Sequence, residues 1–69
     1  MTIGEKIREL REKRKLTQGQ LAYKLKLHKN QISLWETGRF EPSIPHCIML
    51  ADFFNVTLDE LCCRGDGNV

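Results

Sequence analysis

The chain has no long apolar stretch. Its longest run without a charged residue is segment 42–51, which contains two prolines, a serine and a histidine. Because a membrane-spanning helix needs about 20 consecutive apolar residues, we expect no membrane partner. The first residues also lack the apolar segment of a secretory signal, so the sequence predicts a cytoplasmic protein.

Cysteine is scarce and irregularly placed. The three cysteines, Cys47, Cys62 and the adjacent Cys63, match no disulfide framework. No Cys-x-x-Cys pair occurs, and the histidine nearest a cysteine, His46, directly precedes Cys47 and so faces another way. We therefore expect neither a bound metal nor a cofactor, and we interpret Cys47 as a small core residue.

The chain also lacks the groups that catalysis usually requires. Neither His28 nor His46 has a serine or cysteine beside it together with an acid to orient the ring, and no glycine-rich phosphate loop is present. Sixty-nine residues are enough for one small domain but too few for the large catalytic folds. The sequence thus indicates a protein that is not an enzyme.

Acidic side chains are rare in the first part of the chain. Residues 1–39 carry ten Lys or Arg against four acids, a net charge of +6, whereas residues 40–69 carry one against five, a net charge of −4. A basic part beside an acidic part in one small domain favours a polyanionic partner on one side. The alternative is that the lysines only keep a helical surface soluble.

Helix-start signals are abundant. Capping boxes, each a threonine followed three residues later by Glu or Gln, begin at Thr2, Thr17 and Thr57, and Ser43 caps a further helix. No segment alternates with period two, so we predict an all-α fold. The five predicted helices run from Thr2 to about Arg14, from Thr17 to about Leu25, over about His28 to Thr37, from Ser43 to about Phe54, and from Thr57 to near Cys63.

Apolar residues recur at helical spacing in each of these segments. The predicted core consists of Ile3, Ile7, Leu10, Leu21, Ala22, Leu25, Ile32 and Trp35, with Ile44, Cys47, Ile48, Leu50, Ala51 and Phe54 from the fourth helix. Gly38 follows the third helix, where a left-handed residue commonly ends a helix. We assign residues 1–63 to one domain and the glycine-rich residues 64–69 to a flexible C-terminal tail.

The segment from Leu16 to Gly38 predicts two helices joined by a tight turn. The small Ala22 in the first helix allows close approach, and Ile32 in the second fills the contact. A helix-turn-helix needs this arrangement, because its second helix must project far enough to enter a major groove. An ordinary helical hairpin has the same pattern, but the surplus positive charge favours the DNA-binding interpretation.

Five segments together carry a family pattern. They are Ile-Gly-Glu-Lys-Ile-Arg-Glu-Leu-Arg-Glu (3–12), Leu-Thr-Gln-Gly-Gln-Leu-Ala (16–22), Ile-Ser-Leu-Trp-Glu-Thr-Gly-Arg (32–39), Glu-Pro-Ser (41–43) and Leu-Ala-Asp-Phe-Phe-Asn-Val-Thr-Leu-Asp-Glu-Leu (50–61). In this order they resemble the Cro/C1-type helix-turn-helix, or XRE, regulators over about residues 3–62. The resemblance implies a compact five-helix lambda-repressor-like DNA-binding domain with the helix-turn-helix at helices 2 and 3.

The resemblance also implies that helix 3 recognises bases. The positions that match the family's base-contacting ones are Lys29, Asn30, Ser33 and Leu34. Lysine can donate to guanine and asparagine can pair with adenine through two hydrogen bonds, whereas Leu34 can touch a thymine methyl group or a sugar. Phosphate contacts are expected from Thr17, Gln18, Tyr23, Lys26 and Arg39, and also from Lys24.

Two positions near these residues have structural expectations. We expect Glu36 to tie helix 3 to the rest of the domain, since a carboxylate facing a phosphate would repel it. Relatives often carry glycine where Lys26 stands, so a left-handed conformation there would strain the lysine.

Helix 4 suggests where two copies meet. Met49 and Phe53 are four residues apart and off the predicted core stripe, and an apolar pair on a solvated face indicates burial in a partner. With Leu58 and Cys62 they predict a two-fold interface around helix 5, where Cys62 and Cys63 could cross-link two copies on oxidation. The alternative is that Phe53 packs against its own chain.

The leading interpretation is a sequence-specific double-stranded DNA-binding transcriptional regulator, bacterial or phage-encoded. We expect a repressor that binds an inverted-repeat operator as a homodimer. One alternative is an antitoxin-like or other protein-binding module in which DNA autoregulation is secondary. Another is a fold that contacts RNA or protein with little sequence recognition.

Overall fold

The computed structural model describes residues 1–62, which form five helices. These are α1 (Ile3–Lys13), α2 (Gln18–Leu25), α3 (Lys29–Thr37), α4 (Ile44–Phe54) and α5 (Leu58–Leu61). Within residues 1–62 there is no strand, so the predicted all-α class is confirmed. α3 packs against both α1 and α2, and α5 packs against α4 and α1. Cys63 and the predicted tail lie outside the described residues.

The predicted helix starts are confirmed. In all three capping boxes the threonine hydroxyl accepts the N–H of the third helical residue, whose side chain accepts the N–H of the threonine. Ser43 caps α4 through the N–H of His46, and Pro45 occupies the first turn. α3 begins at Lys29 rather than His28, because His28 is the N-cap and makes no side-chain capping hydrogen bond. α5 ends at Leu61, slightly before its predicted end.

Three helix connections share one construction. After α1, α2 and α4, one non-glycine residue adopts a left-handed conformation: Lys15, Lys26 and Asn55. The next residue is apolar, packs against the core, and donates its N–H to a carbonyl five residues back: Leu16 to Arg11 at 3.2 Å, Leu27 to Ala22 at 2.8 Å, and Val56 to Ala51 at 3.0 Å. The residue after it occupies the N-cap position of the following helix. Each link therefore joins two helices through three or four residues while burying an apolar side chain.

One hydrophobic cluster holds the helices together. It contains the predicted residues of α1, α2 and α3, with Ile3 only partly buried, and it adds Leu61 of α5. The prediction was wrong at two positions of α4, since Ile44 is 75% exposed and Ile48 is 46% exposed. Cys47, Leu50, Ala51 and Phe54 already fill one face of α4, and Ile48 lies about 100° around the helix from Cys47, beyond the edge of that face.

None of the helices in the part of the chain that the structure describes is long and apolar enough to cross a bilayer.

Candidate nucleic-acid interface

The turn between α2 and α3 sets the direction of α3. Lys26 closes α2 with φ 59° and ψ 42°, the left-handed region that the sequence had suggested. Ala22 is buried and Ile32 is completely buried, both in the hydrophobic cluster, and α2 packs against α3. α3 is thereby packed along one side and exposed along the other.

α1 approaches the end of α3 very closely at Gly4. A Cβ atom on this residue would overlap the carbonyl oxygen of Trp35 and press on that of Glu36. The backbone of Gly4 has ordinary helical geometry, so an unusual φ is not the reason for glycine here. Glycine is required because the two helices approach too closely for a side chain. Sequence reasoning missed this role, because a glycine inside a capping box carries no signal of a distant neighbour.

A buried ion pair fixes α3 to α1 and α2. The Glu36 carboxylate accepts hydrogen bonds from Arg11 Nε at 2.7 Å and Arg11 Nη2 at 3.1 Å, and from Gln18 Nε2 at 3.0 Å. Arg11 Nη1 also donates to the carbonyl oxygen of Leu16 at 2.7 Å. The Glu36 side chain is only 2% exposed. The expectation that Glu36 ties α3 to the rest of the domain is confirmed, and Arg11 is the partner that the sequence did not identify.

The ion pair also determines the charge of the α2–α3 surface. Glu36 is the only acid between residues 17 and 39, where four basic residues also lie. Hydrogen bonding to Glu36 raises the pKa of the Arg11 guanidinium above its ordinary value, so Arg11 remains a cation beside the carboxylate. Because Arg11 neutralises the one acid internally, the exposed charge of this segment is entirely positive.

The outward face of α3 carries the predicted base-contacting residues. Lys29 and Asn30 are exposed in its first turn, and Ser33 and Leu34 are half-buried one turn later. No side chain caps this end of the helix, because the exposed His28 makes no capping bond. The four side chains therefore share one side of α3, opposite Ile32 and Trp35, and the first two are the most accessible.

The predicted phosphate-contacting residues surround α3 but differ in availability. The Thr17 hydroxyl accepts the N–H of Gln20, and the Gln18 amide nitrogen is occupied by Glu36. The hydrogen bonds of residues 1–62 include none from the backbone N–H groups of Gln18 or Gly19, which begin α2. These two groups can bind an anion, aided by the helix dipole.

The other predicted phosphate contacts are exposed side chains. Tyr23, Lys24 and Lys26 lie in or directly after α2, and Arg39 follows Gly38 at the end of α3. Gly38 has φ 83°, which confirms the left-handed end predicted for α3. Phe40, next to Arg39, is 63% exposed and was not predicted, although an aromatic residue in a polar loop was a signal that could have found it.

The α4–α5 surface is the outer side of two helices that pack against each other. Met49 and Leu58 are exposed, and Cys62 is half-buried. Phe53 is instead packed partly against the core, with the Arg14 guanidinium 5.2 Å from its ring centroid and Phe54 in an edge-on contact at 5.1 Å. The exposed apolar side chains of this surface thus include Ile48, Met49 and Leu58.

Comparison with known proteins agrees with this architecture. A family model described as helix-turn-helix matches residues 7–61. The chain is 41% identical over 61 residues, 88% of its length, to the HTH-type transcriptional activator BcrR of Enterococcus faecalis. It is 43% identical over 44 residues, 64% of its length, to the immunity repressor protein of Bacillus phage phi105. The aligned parts cover 30% and 31% of these two relatives, so the chain spans about a third of the proteins it matches.

Proposed function

The chain belongs to the Cro/C1-type helix-turn-helix (XRE) family of DNA-binding transcriptional regulators, and from that premise we propose that it recognises a specific double-stranded DNA sequence with α3 in the major groove. The observation that carries the proposal is the exposed polar face of α3 on a surface whose only acid is neutralised by Arg11. A polyanion can approach that surface without meeting an uncompensated carboxylate.

Base recognition is assigned to the first two turns of α3. Lys29 donates to guanine O6 or N7, and Asn30 pairs with adenine N6 and N7. Ser33 hydrogen-bonds to the edge of either guanine or adenine, and Leu34 contacts a thymine methyl group. Each good two-bond contact discriminates against the wrong base by about 1–3 kcal/mol, so Asn30 carries a large share of the specificity.

Phosphate contacts hold α3 in register. The free N–H groups at the start of α2, with Thr17 and Gln18, bind one phosphate, while Arg39 binds another beyond the end of α3. Tyr23, Lys24 and Lys26 add contacts along the exposed side of α2. Such contacts carry affinity and salt dependence but no sequence information.

We propose that the protein acts as a homodimer whose second copy covers the α4–α5 surface. The exposed apolar side chains of Met49 and Leu58, with the neighbouring Ile48, support this surface. Cys62 lies at its edge, whereas Phe53 contributes mainly to the fold of its own chain. Two copies related by a two-fold axis would place their α3 helices in successive major grooves of an inverted repeat, about 34 Å apart.

Regulation follows from occupancy of the operator. A bound dimer at a promoter excludes the polymerase sterically, and we therefore propose repression in the cytoplasm of a bacterial host. A relative described as an immunity repressor supports this direction, and the relative described as an activator makes the opposite direction the outcome to test. A reporter driven by a promoter that overlaps the site should lose expression when the protein is produced. A rise in expression would assign activation instead.

The division of roles is tested with two substitutions and one control. On the duplex enriched from a random library, Asn30→Ala should reduce the free-energy difference between the preferred base and the other bases at one base pair by about 1–3 kcal/mol. Arg39→Ala should weaken binding to all duplexes alike. It should also reduce the slope of log K against log[salt] by about one. Arg8→Ala, an exposed arginine on α1 paired with Glu12, should leave both quantities unchanged.

The alternatives predict other outcomes. Equal losses on every duplex from Asn30→Ala and Arg39→Ala would contradict the assignment of base recognition to α3. A steep salt dependence without any preferred duplex would favour general nucleic-acid binding, and the absence of duplex binding would favour the protein-binding module.

Leu58→Glu tests the dimer, since sedimentation should then give a monomer that still binds a single half-site.

A further inference from the structure

Lysine occupies the left-handed position at both ends of α2. Lys15, two residues before the Thr17 cap, has φ 57°, and Lys26, which closes α2, has φ 59°. A side chain at such a position crowds the backbone, so only glycine adopts it freely. The link after α4 has Asn55 at the corresponding position, and asparagine tolerates this region better than lysine. Of the three links with this construction, the two more strained ones therefore flank α2.

Lys15 is also an unpaired cation. Its side chain is exposed, and none of the ion pairs within residues 1–62 includes it. The acid nearest to it in the sequence is Glu12, whose carboxylate lies 3.7 Å from Arg8 Nε instead. The charge of Lys15 is therefore available to an anion outside the chain.

The backbone beside Lys15 is fixed relative to α3. The N–H of Lys15 donates to the carbonyl oxygen of Glu12 at 2.9 Å. The next residue, Leu16, donates its N–H to the carbonyl oxygen of Arg11 at 3.2 Å and accepts a hydrogen bond from Arg11 Nη1 at 2.7 Å. The same guanidinium binds Glu36 of α3. One buried arginine thus holds both the link that carries Lys15 and the helix that we propose enters the major groove.

A shallow depression follows α2 between these two links. Its lining residues are Leu16, Thr17, Gly19, Gln20, Tyr23 and Lys24. None of them is acidic, and Gly19 is one of the two residues at the start of α2 whose backbone N–H groups are free. When the second helix of a helix-turn-helix lies in the major groove, the first crosses the DNA backbone. The depression is therefore where phosphates would pass α2, with one left-handed lysine at either end.

We propose that Lys15 is a further phosphate-contacting residue, and that Lys15 and Lys26 together clamp the DNA backbone at the two ends of α2. This inference rests on the proposed placement of α3 in the major groove. α2 has eight residues and is about 12 Å long, so the two ammonium groups contact different phosphates. Glycine at either position would relieve backbone strain but remove a cation. Folding stability and DNA affinity should therefore change in opposite directions at both positions.

The test measures folding and DNA binding in the same variants of the full chain. Lys15→Gly should raise the midpoint of urea denaturation by about 0.5–1 M, because the left-handed strain is relieved. The same variant should bind the duplex enriched from a random library more weakly, with a slope of log K against log[salt] that is smaller by about 0.9 for each bound copy. Its loss of affinity should accordingly shrink by about 3.5-fold per copy between roughly 50 and 200 mM salt. The preferred base at each position should stay the same, because phosphate contacts carry no sequence information.

Two control variants separate the charge from the backbone conformation. Lys15→Arg keeps the cation and the strain, so its salt slope and its urea midpoint should both match those of the original protein. Asn55→Gly changes the corresponding left-handed position after α4 and should leave the salt slope unchanged. The double variant Lys15→Gly/Lys26→Gly should lower the slope by about twice as much as Lys15→Gly alone, because the two sites are far apart and contact different phosphates.

The outcomes distinguish this inference from the proposed function. If Lys15→Gly keeps the original salt slope on a duplex that both proteins bind, the contact by Lys15 is overturned while base recognition by α3 stands. An equal loss of slope in Lys15→Arg would also overturn it, because the cation would then not be the cause. A lower urea midpoint for Lys15→Gly would overturn the opposition between stability and affinity. Failure of the original protein to bind any duplex would overturn this inference together with the proposed function.

Discussion

Replacing Arg11 by methionine tests whether the ion pair with Glu36 positions α3. The substitution keeps much of the side-chain volume but removes all three of the hydrogen bonds that the guanidinium donates, two to Glu36 and one to Leu16. The Glu36 carboxylate then stays buried with Gln18 as its remaining donor. An uncompensated charge of this kind costs about 3–5 kcal/mol.

That cost is large for a chain of this size. A 69-residue domain has a free energy of unfolding of roughly 3–10 kcal/mol, so Arg11→Met should remove a third of the stability or more. In urea denaturation followed by Trp35 fluorescence, with a slope of about 1 kcal/mol/M, the midpoint should fall by about 3–5 M. The slope should stay constant if the variant still unfolds in one step.

The double variant Arg11→Met/Glu36→Leu separates the charge from the contact. With both charges replaced by apolar groups, no buried carboxylate lacks a partner, and stability should return to within about 1–2 kcal/mol of the original protein. The two single losses should therefore exceed the double loss by about 3 kcal/mol or more. An Arg11→Met loss below about 1 kcal/mol, or a double variant whose loss equals the sum of the singles, would refute the reasoning.

Three further changes test individual backbone positions by urea denaturation. Lys26→Gly relieves the strain of the left-handed conformation and should stabilise the domain by about 0.5–1 kcal/mol. Lys26→Ala loses the same charge but keeps the strain, so it should give no gain. Equal stabilities of the two variants would contradict the presence of strain. Gly4→Ala forces α1 away from Trp35 and should cost about 1–3 kcal/mol, while Gly19→Ala, where a Cβ meets only the Thr17 hydroxyl at 3.9 Å, should be neutral or slightly stabilising. His28→Ser supplies the missing cap of α3 and should gain about 0.5–1 kcal/mol relative to His28→Ala, and no difference between the two would show that the cap does not form.

Local features of the fold were predictable because they depend on neighbouring residues. The interacting groups are at most three or four positions apart in the capping boxes, at the proline in the first turn of α4 and at the glycine after α3. The structure contains all of these features. The left-handed residue at Lys26 was also foreseeable, because a family pattern with glycine at that position indicates its conformation.

Features that depend on tertiary packing were not predictable in the same way. The partner of Glu36 lies 25 positions away, and ten basic residues in the first part of the chain were candidates for it. The stacking of Arg14 on Phe53 likewise arises only when α4 folds back near the end of α1. Ile48 has the spacing of a core residue, but the limited width of the buried face leaves it exposed.

Selection from a random library of duplexes, with reduced protein at physiological salt, tests the central proposal most directly. We predict enrichment of an inverted repeat whose half-site centres are separated by about 10–10.5 bp, or one helical turn. The same selection with Asn30→Ala should lose information at one position of each half-site. A library that shows no enrichment with the original protein would contradict the proposal that this chain recognises a DNA sequence.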